Sequence, residues 1–154
     1  MPRVSRTRTV AAEPARVWKL VSDPYSLARW WPRALRVEDV RDPDDEPAQW
    51  TIVLATERGA GVRADFRCTE SSELESLAWE QEIDGTPFDR ILKAAKLSIE
   101  LAPEPAGTAI TLTSEERLRG LSRLGSALMR GASQRRLDEA LEGIERALVG
   151  GRDG

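Results

Sequence analysis

The last third of the chain ends in "LSRLGSALMRGASQRRLDEALEGIERAL", from Leu121 to Leu148, a stretch with helical spacing and no proline. A helix of that length reaches about 40 Å, enough to lie across a whole sheet. What precedes it has a different period. From Leu35 onward apolar residues recur at every second position, in "ALRVEDVR", "QWTIVLAT", "VRADFRCTE", "ESLAWEQEI", "DRILKAAKLSIELAP" and "GTAITLTSEERL". Short turns such as "RGAG" and "PEPAG" and the loop "DPDDEP" separate them. Strands joined by tight turns favour antiparallel pairing. One long helix with one large apolar burden must be covered by that sheet, which gives an α+β packing with a shared core.

The N-terminal segment supplies one more strand and two short helices. "RVSRTRTVAA" alternates, with Val4, Arg6, Arg8 and Val10 on one parity, and its β-branched content supports a strand. "AEPARVWKLVSDP" reads as a helix, with Pro14 at its first position and Asp23-Pro24 as its stop. "YSLARWWP" is a second short helix or turn ended by Pro32. The expected architecture is a curved antiparallel sheet of about seven strands wrapped around the C-terminal helix, with the two short helices after the first strand. Residues 1–149 form one domain in this reading, and 150–154 a flexible tail.

Composition narrows the function. The chain has 154 residues, 40% hydrophobic and 32% charged, with a formal net charge of −3. Charges of both signs are interspersed, so no basic footprint for nucleic acid is present. No apolar run approaches the roughly 18 residues that span a bilayer, and no secretory signal opens the sequence. The single cysteine, Cys68, excludes an intrachain disulfide. Together these features place the protein in the cytoplasm, without stable membrane insertion. The chain has no histidine, which removes His-based nucleophile activation, the usual zinc sites and imidazole proton shuttles. No metal and no cofactor is expected. The oligomeric state is not legible.

The candidate site residues come from aromatics and from polar residues on inward parity. Tyr25, Trp30 and Trp31 are three of only eight aromatics and fall within seven residues. Neighbours on a helix point about 100° apart, so Trp30 and Trp31 divide into one core plug and one cavity wall, with the assignment open. Trp50, Phe66 and Trp79 lie mid-strand on apolar parities, and Phe88 sits at a loop. Leu97 and Leu112 occupy inward strand positions, and Leu124 and Leu128 lie on the first half of the long helix. Gln81 shares its face with Leu77, Trp79 and Ile83; Lys93 with Ile91, Ala95 and Leu97; Ser114 and Glu116 with Ile110 and Leu112. A polar group facing a dry core loses about 1–3 kcal/mol if unpaired, so each such residue needs a partner, water or ligand. Lys93 and Glu116 are the candidates for catalytic groups.

The helix itself raises a question. Leu121, Leu124 and Leu128 share one face, while Leu137, Leu141, Ile144 and Leu148 share another, more than a third of a turn away. The expectation is a bend near Gly131, or a first half packed on a different wall, where it would gate a cavity mouth.

The order of elements resembles the START-like, or SRPBCC, superfamily with its helix-grip fold, and the local likeness is to the polyketide cyclase/dehydrase-like group of small bacterial proteins. It is carried by the first strand followed by "EPARVWKLVSDP", then by "RWWP", "RVEDV" and "LAPEPAGTAITL" before the last helix. The resemblance implies a deep pocket for a hydrophobic or aromatic, lipid- or polyketide-like small molecule between sheet and helix. It also admits a cyclase or dehydratase acting by carbonyl polarisation and proton transfer. A third reading is an interaction module with a filled core. Cyclases of this superfamily commonly project an arginine into the pocket. Here Arg63 and Arg67 lie on the parity opposite Phe66 and Cys68, facing solvent, and Lys93 is the inward-parity cation left.

Overall fold

A computed structural model describes residues 3–41, 48–56, 61–120 and 123–150, with the side chains of 123–126 and of Gly150 left aside. The loop 42–47, most of the "RGAG" turn, Leu121, the Leu124 side chain and the tail 151–154 therefore lie outside the described residues. Seven strands form one sheet: β1 (Arg3–Val10), β2 (Ala34–Arg41), β3 (Gln49–Ala55), β4 (Gly61–Ser72), β5 (Ser76–Glu82), β6 (Leu92–Glu104) and β7 (Gly107–Leu118). Their order is β1-β7-β6-β5-β4-β3-β2, and every pair is antiparallel. β1 and β2 follow each other in sequence yet occupy opposite edges of the sheet. The chain between them crosses the gap as α1 (Pro14–Val21), a 3-10 turn at Pro24–Ser26 and α2 (Leu27–Trp30).

Local chemistry sets these boundaries. Pro14 opens α1, where its missing N–H is no loss. Asp23 caps the following turn by accepting from the Tyr25 N–H at 3.0 Å and the Ser26 hydroxyl at 3.2 Å. On β1 both valines of the inward parity, Val4 and Val10, are buried. Arg6 and Arg8 share that parity at the sheet's edge and reach acids of the C-terminal helix: Arg6 to Asp138 at 3.5 Å, Arg8 to Glu145 at 3.1 Å and Glu142 at 4.0 Å. On the outer face Arg63 bonds Glu38 and Asp39 and Arg67 pairs with Glu80, so both arginines face solvent as their parity requires. Arg36, and after it Arg63, hold the Glu38 carboxyl below its ordinary value by hydrogen bonding.

The helix α3 (Arg123–Gly150) runs unbroken through Gly131. Its core stripe is Leu137, Ala140, Leu141, Ile144 and Leu148, all buried against the sheet and the short helices. Each fully buried Leu or Ile contributes about 1.5–3 kcal/mol. Gly143 allows a close backbone approach: a Cβ there would collide with the carbonyl oxygen of Trp30. This seats α2 on α3. Among the described side chains the expected change of wall does not occur. The stripe continues toward the N-terminus on the same face as Arg136, Ser133, Ala132 and Met129, while Leu128 turns outward, 68% exposed. The helix stays continuous and one leucine goes to solvent.

Candidate functional site

A cavity of about 540 Å³ opens between the sheet and the first half of α3. Strand register explains its wall. Trp79 on β5 pairs with Leu97 on β6, which pairs with Ser114 on β7. One step toward the mouth, Phe66 on β4 pairs with Gln81 on β5, and Ala95 on β6 pairs with Glu116 on β7. All of these residues line the cavity. The β5–β6 ladder, however, ends at Glu80 and Lys96, so Gln81 and Ala95 face each other across strands that are no longer bonded. Opposite the sheet stand Met129, Ala132, Arg135 and Arg136 of α3. The rim is completed by Trp31, Pro32 and Arg33 between α2 and β2, and by Phe88 and Ile91 around the 3-10 turn Pro87–Arg90.

The aromatics form one connected group behind and along this wall. Trp30 meets Trp31 edge-on at 5.7 Å, and each stands 6.3 Å from Trp79. Trp79 meets Trp50 at 5.6 Å, and Trp50 stacks on Phe66 at 6.4 Å. Within the tryptophan pair the structure separates two positions: Trp30 is 2% exposed and packed under Gly143, while Trp31 lines the cavity. Edge-to-face contacts of this kind fix ring orientation beyond simple area burial.

Polar groups occupy defined places. Glu116, its side chain 12% exposed, accepts from the Ser133 hydroxyl at 2.8 Å and from Arg136 Nη1 at 3.4 Å, both on Oε1. Gln81 Nε2 is buried and has no hydrogen-bond partner among the described residues. A buried amide donor without a partner loses about 1–3 kcal/mol, which a ligand acceptor or water at that point recovers. Among the described residues no group of three or more Cys, Asp or Glu gathers as a metal site.

Of the candidates drawn from sequence, Trp31, Phe66, Trp79, Gln81, Phe88, Leu97 and Glu116 meet at this cavity. Others lie elsewhere. Trp30 and Trp50 are buried behind the wall, and Leu112 is fully buried in the core. Tyr25 is 68% exposed on its turn, and Leu128 points to solvent. Lys93 requires a correction. The β6–β7 register shifts between Leu92 and Ala94, so a bulge there puts Leu92 inside and turns Lys93 outward. Lys93 does not line the cavity but a groove at the unbonded ends of β5 and β6, with Glu80, Glu82 and Asp84, which meets the cavity only at Gln81, Ala95 and Lys96. Sequence reasoning does not single out Met129, Arg135 and Arg136 of the helix, or Arg33. Met129 and Arg136 carry a signal: Met129 lies two four-residue steps before Leu137 and Arg136 four residues before Ala140, on the stripe's extension, whereas Arg135 lies beside it.

The family model described as "Polyketide cyclase / dehydrase and lipid transport" matches residues 1–149. The chain belongs to that family. Solved structures agree on the fold. The protein TTHA0849 from Thermus thermophilus is 20% identical, with a TM-score of 0.76 over 98% of this chain and 99% of that one. A START superfamily protein from Mycobacterium smegmatis is 17% identical, with a TM-score of 0.73 over 95% and 98%. The di-domain ARO/CYC StfQ of the steffimycin biosynthetic pathway is 10% identical at a TM-score of 0.79; the match covers 99% of this chain and 52% of StfQ. Among curated proteins none matches the sequence significantly. This polyketide cyclase/dehydrase and lipid transport family member has no described helix long and apolar enough to cross a membrane.

Proposed function

We propose that the protein binds a hydrophobic or aromatic small molecule in the cavity between the sheet and α3. One observation carries this reading: a cavity of about 540 Å³ walled by Trp31, Phe66, Trp79 and Leu97, with only a few polar groups, Gln81, Ser114 and Glu116, on the sheet side. Ligand sites usually run about 300–1,000 Å³ and combine an apolar wall with few placed polar groups. A volume of this size argues against an interaction module with a filled core. The family and its START-like and ARO/CYC neighbours support a hydrophobic ligand. Titration with fatty acids, flavonoids and polycyclic aromatics, followed by tryptophan emission, tests it. Saturable binding is expected, weakened at least tenfold by Phe66→Ala and Trp79→Ala with the fold checked by circular dichroism. Binding that ignores both substitutions would move the ligand elsewhere.

Glu116 supports a second reading, a cyclase or dehydratase. Its carboxylate is nearly buried, held through Oε1 by Ser133 and Arg136, and stands on the same cavity wall as the unpartnered Gln81 amide. An amide donor can polarise a carbonyl while a carboxylate moves a proton. In that case Glu116→Gln abolishes turnover of a poly-β-ketone substrate while leaving its binding within a few-fold, whereas Lys93→Met leaves both unchanged.

A further inference from the structure

The charged residues around the cavity restrict which apolar molecule fits. Arg33, Arg135 and Arg136 line it from the inner side, against Glu116 and Glu139, while Lys96, the cross-strand partner of Glu80, reaches it only from the outer parity of β6. On the inner side that is one more cation than carboxylates, in a chain whose formal net charge is −3. Pairing is uneven as well. Arg136 and Glu116 satisfy each other. Arg33 and Arg135 make no ion pair among the described residues, so their guanidinium groups are open to an anion.

Arg33, Arg135 and Glu139 are exposed and line the cavity, so two cations and one carboxylate stand at its mouth. The two arginines come from different walls, the α2–β2 turn and α3. Arg33 has φ of 65°, a left-handed conformation uncommon for a residue with a Cβ. Its carbonyl accepts from the Ala55 N–H at 2.8 Å, which ties the turn to the end of β3. The backbone beneath this cation is thus fixed in a conformation of higher energy, at the rim of the cavity.

We infer that the cavity takes an amphiphile with an anionic head, its apolar body against Trp31, Phe66 and Trp79 and its carboxylate, or another small anion, at the mouth with Arg33 and Arg135. This rests on the ligand-binding reading above. A carboxylate carried into the apolar interior would lose its hydration without a partner. At the mouth it keeps part of its water and gains charge-assisted bonds from guanidinium forks that no carboxylate of the described residues occupies. A cleft with low-dielectric walls also concentrates the field of these cations on an approaching anion. A neutral molecule of the same shape gains none of this.

The test uses three ligands with one tail: decanoate, decanol and decylammonium, titrated below micelle formation at low salt and followed by tryptophan emission. Decanoate is expected to bind at least tenfold more tightly than decanol, with decylammonium weakest, and added salt should narrow the gap. The double variant Arg33→Gln, Arg135→Gln should bring decanoate to the level of decanol and leave decanol unchanged. Neither side chain has a bonded partner among the described residues, so an unchanged melting temperature is expected. Equal binding of decanoate and decanol overturns the anionic head and leaves the ligand reading standing. A preference that survives the double variant also overturns it. Absence of saturable binding by all three overturns both. Vesicles of phosphatidylcholine with phosphatidylglycerol separate a free acid from a lipid headgroup. Co-sedimentation with the anionic vesicles, without any decanoate preference in solution, would replace the inference with membrane docking.

Discussion

Between Leu137 and Leu148, α3 sets Leu137, Leu141 and Ile144 against the sheet, each no more than 2% exposed, and Gly143 against the Trp30 backbone. Two turns earlier the same face of the same helix carries Met129, Ala132, Ser133 and Arg136, and there the cavity stands. Nothing in the helical register changes between the halves. What changes is side-chain volume and polarity. Branched aliphatics fill the space in one half. In the other, small and polar residues leave it open, and a carboxylate–arginine contact holds helix to sheet. A protein can thus carry its stability at one end of a single helix and its site at the other.

The largest effect that sharpens this contrast is truncation in the two halves. Leu141→Ala should cost about 2–5 kcal/mol, because a fully buried leucine leaves both lost transfer energy and a cavity. Met129→Ala, at the wall of an existing cavity, creates no new enclosed void and should cost under about 1 kcal/mol while altering ligand affinity. Urea denaturation of both variants measures the difference. Comparable losses at the two positions would mean that the cavity half is packed as tightly as the other, and the contrast would fail.

Gly143→Ala comes next. Its Cβ would meet backbone, not a flexible side chain, so α2 and α3 must part, at the ~1–3 kcal/mol typical of overpacking or somewhat above. Because Trp30 touches both Trp31 and Trp79, the shift should also move the tryptophan emission of the cavity wall. A stable variant with unaltered emission would show that the packed half does not position the cavity.

These two positions also show what the sequence could disclose. Period-two alternation from Leu35 and the unbroken helical stretch carry the fold, because parity and helical spacing are local properties of the chain. Parity names the face of a strand but not the end of the sheet at which a residue stands. Trp50 and Leu112 therefore face inward yet lie behind the cavity or in the core, while Phe66, Trp79 and Leu97 line it. Lys93 is displaced by one extra residue at a bulge, which inverts every inference from parity on one side of it. Arg135 reads as part of an ordinary solvated helix face, since it lies off the stripe that Arg136 and Met129 extend. The division of Trp30 from Trp31 depends on the approach of α3 at Gly143, a contact between opposite ends of the chain that no local pattern encodes.

The smallest effect concerns a second glycine of α3. At Gly131 a Cβ would meet nothing within 4 Å, and α3 passes through without a break. Alanine there should therefore stabilise the protein by about 0.5–1 kcal/mol, through helix propensity alone. The same substitution tests the idea that the first half of α3 gates the cavity mouth. If the helix acts as one rigid rod, Gly131→Ala raises the melting temperature slightly and leaves ligand association and dissociation rates unchanged. If the segment before Gly131 swings to admit a ligand, stiffening this point slows both rates together, with little change in their ratio. Hydrogen exchange adds the spatial reading: a gate opens the amides before Gly131 earlier than those of the packed half, and ligand slows the first group selectively. Uniform protection along α3, with rates untouched by alanine, would make the mouth a fixed opening and leave Arg33 and Arg135 as its stationary posts.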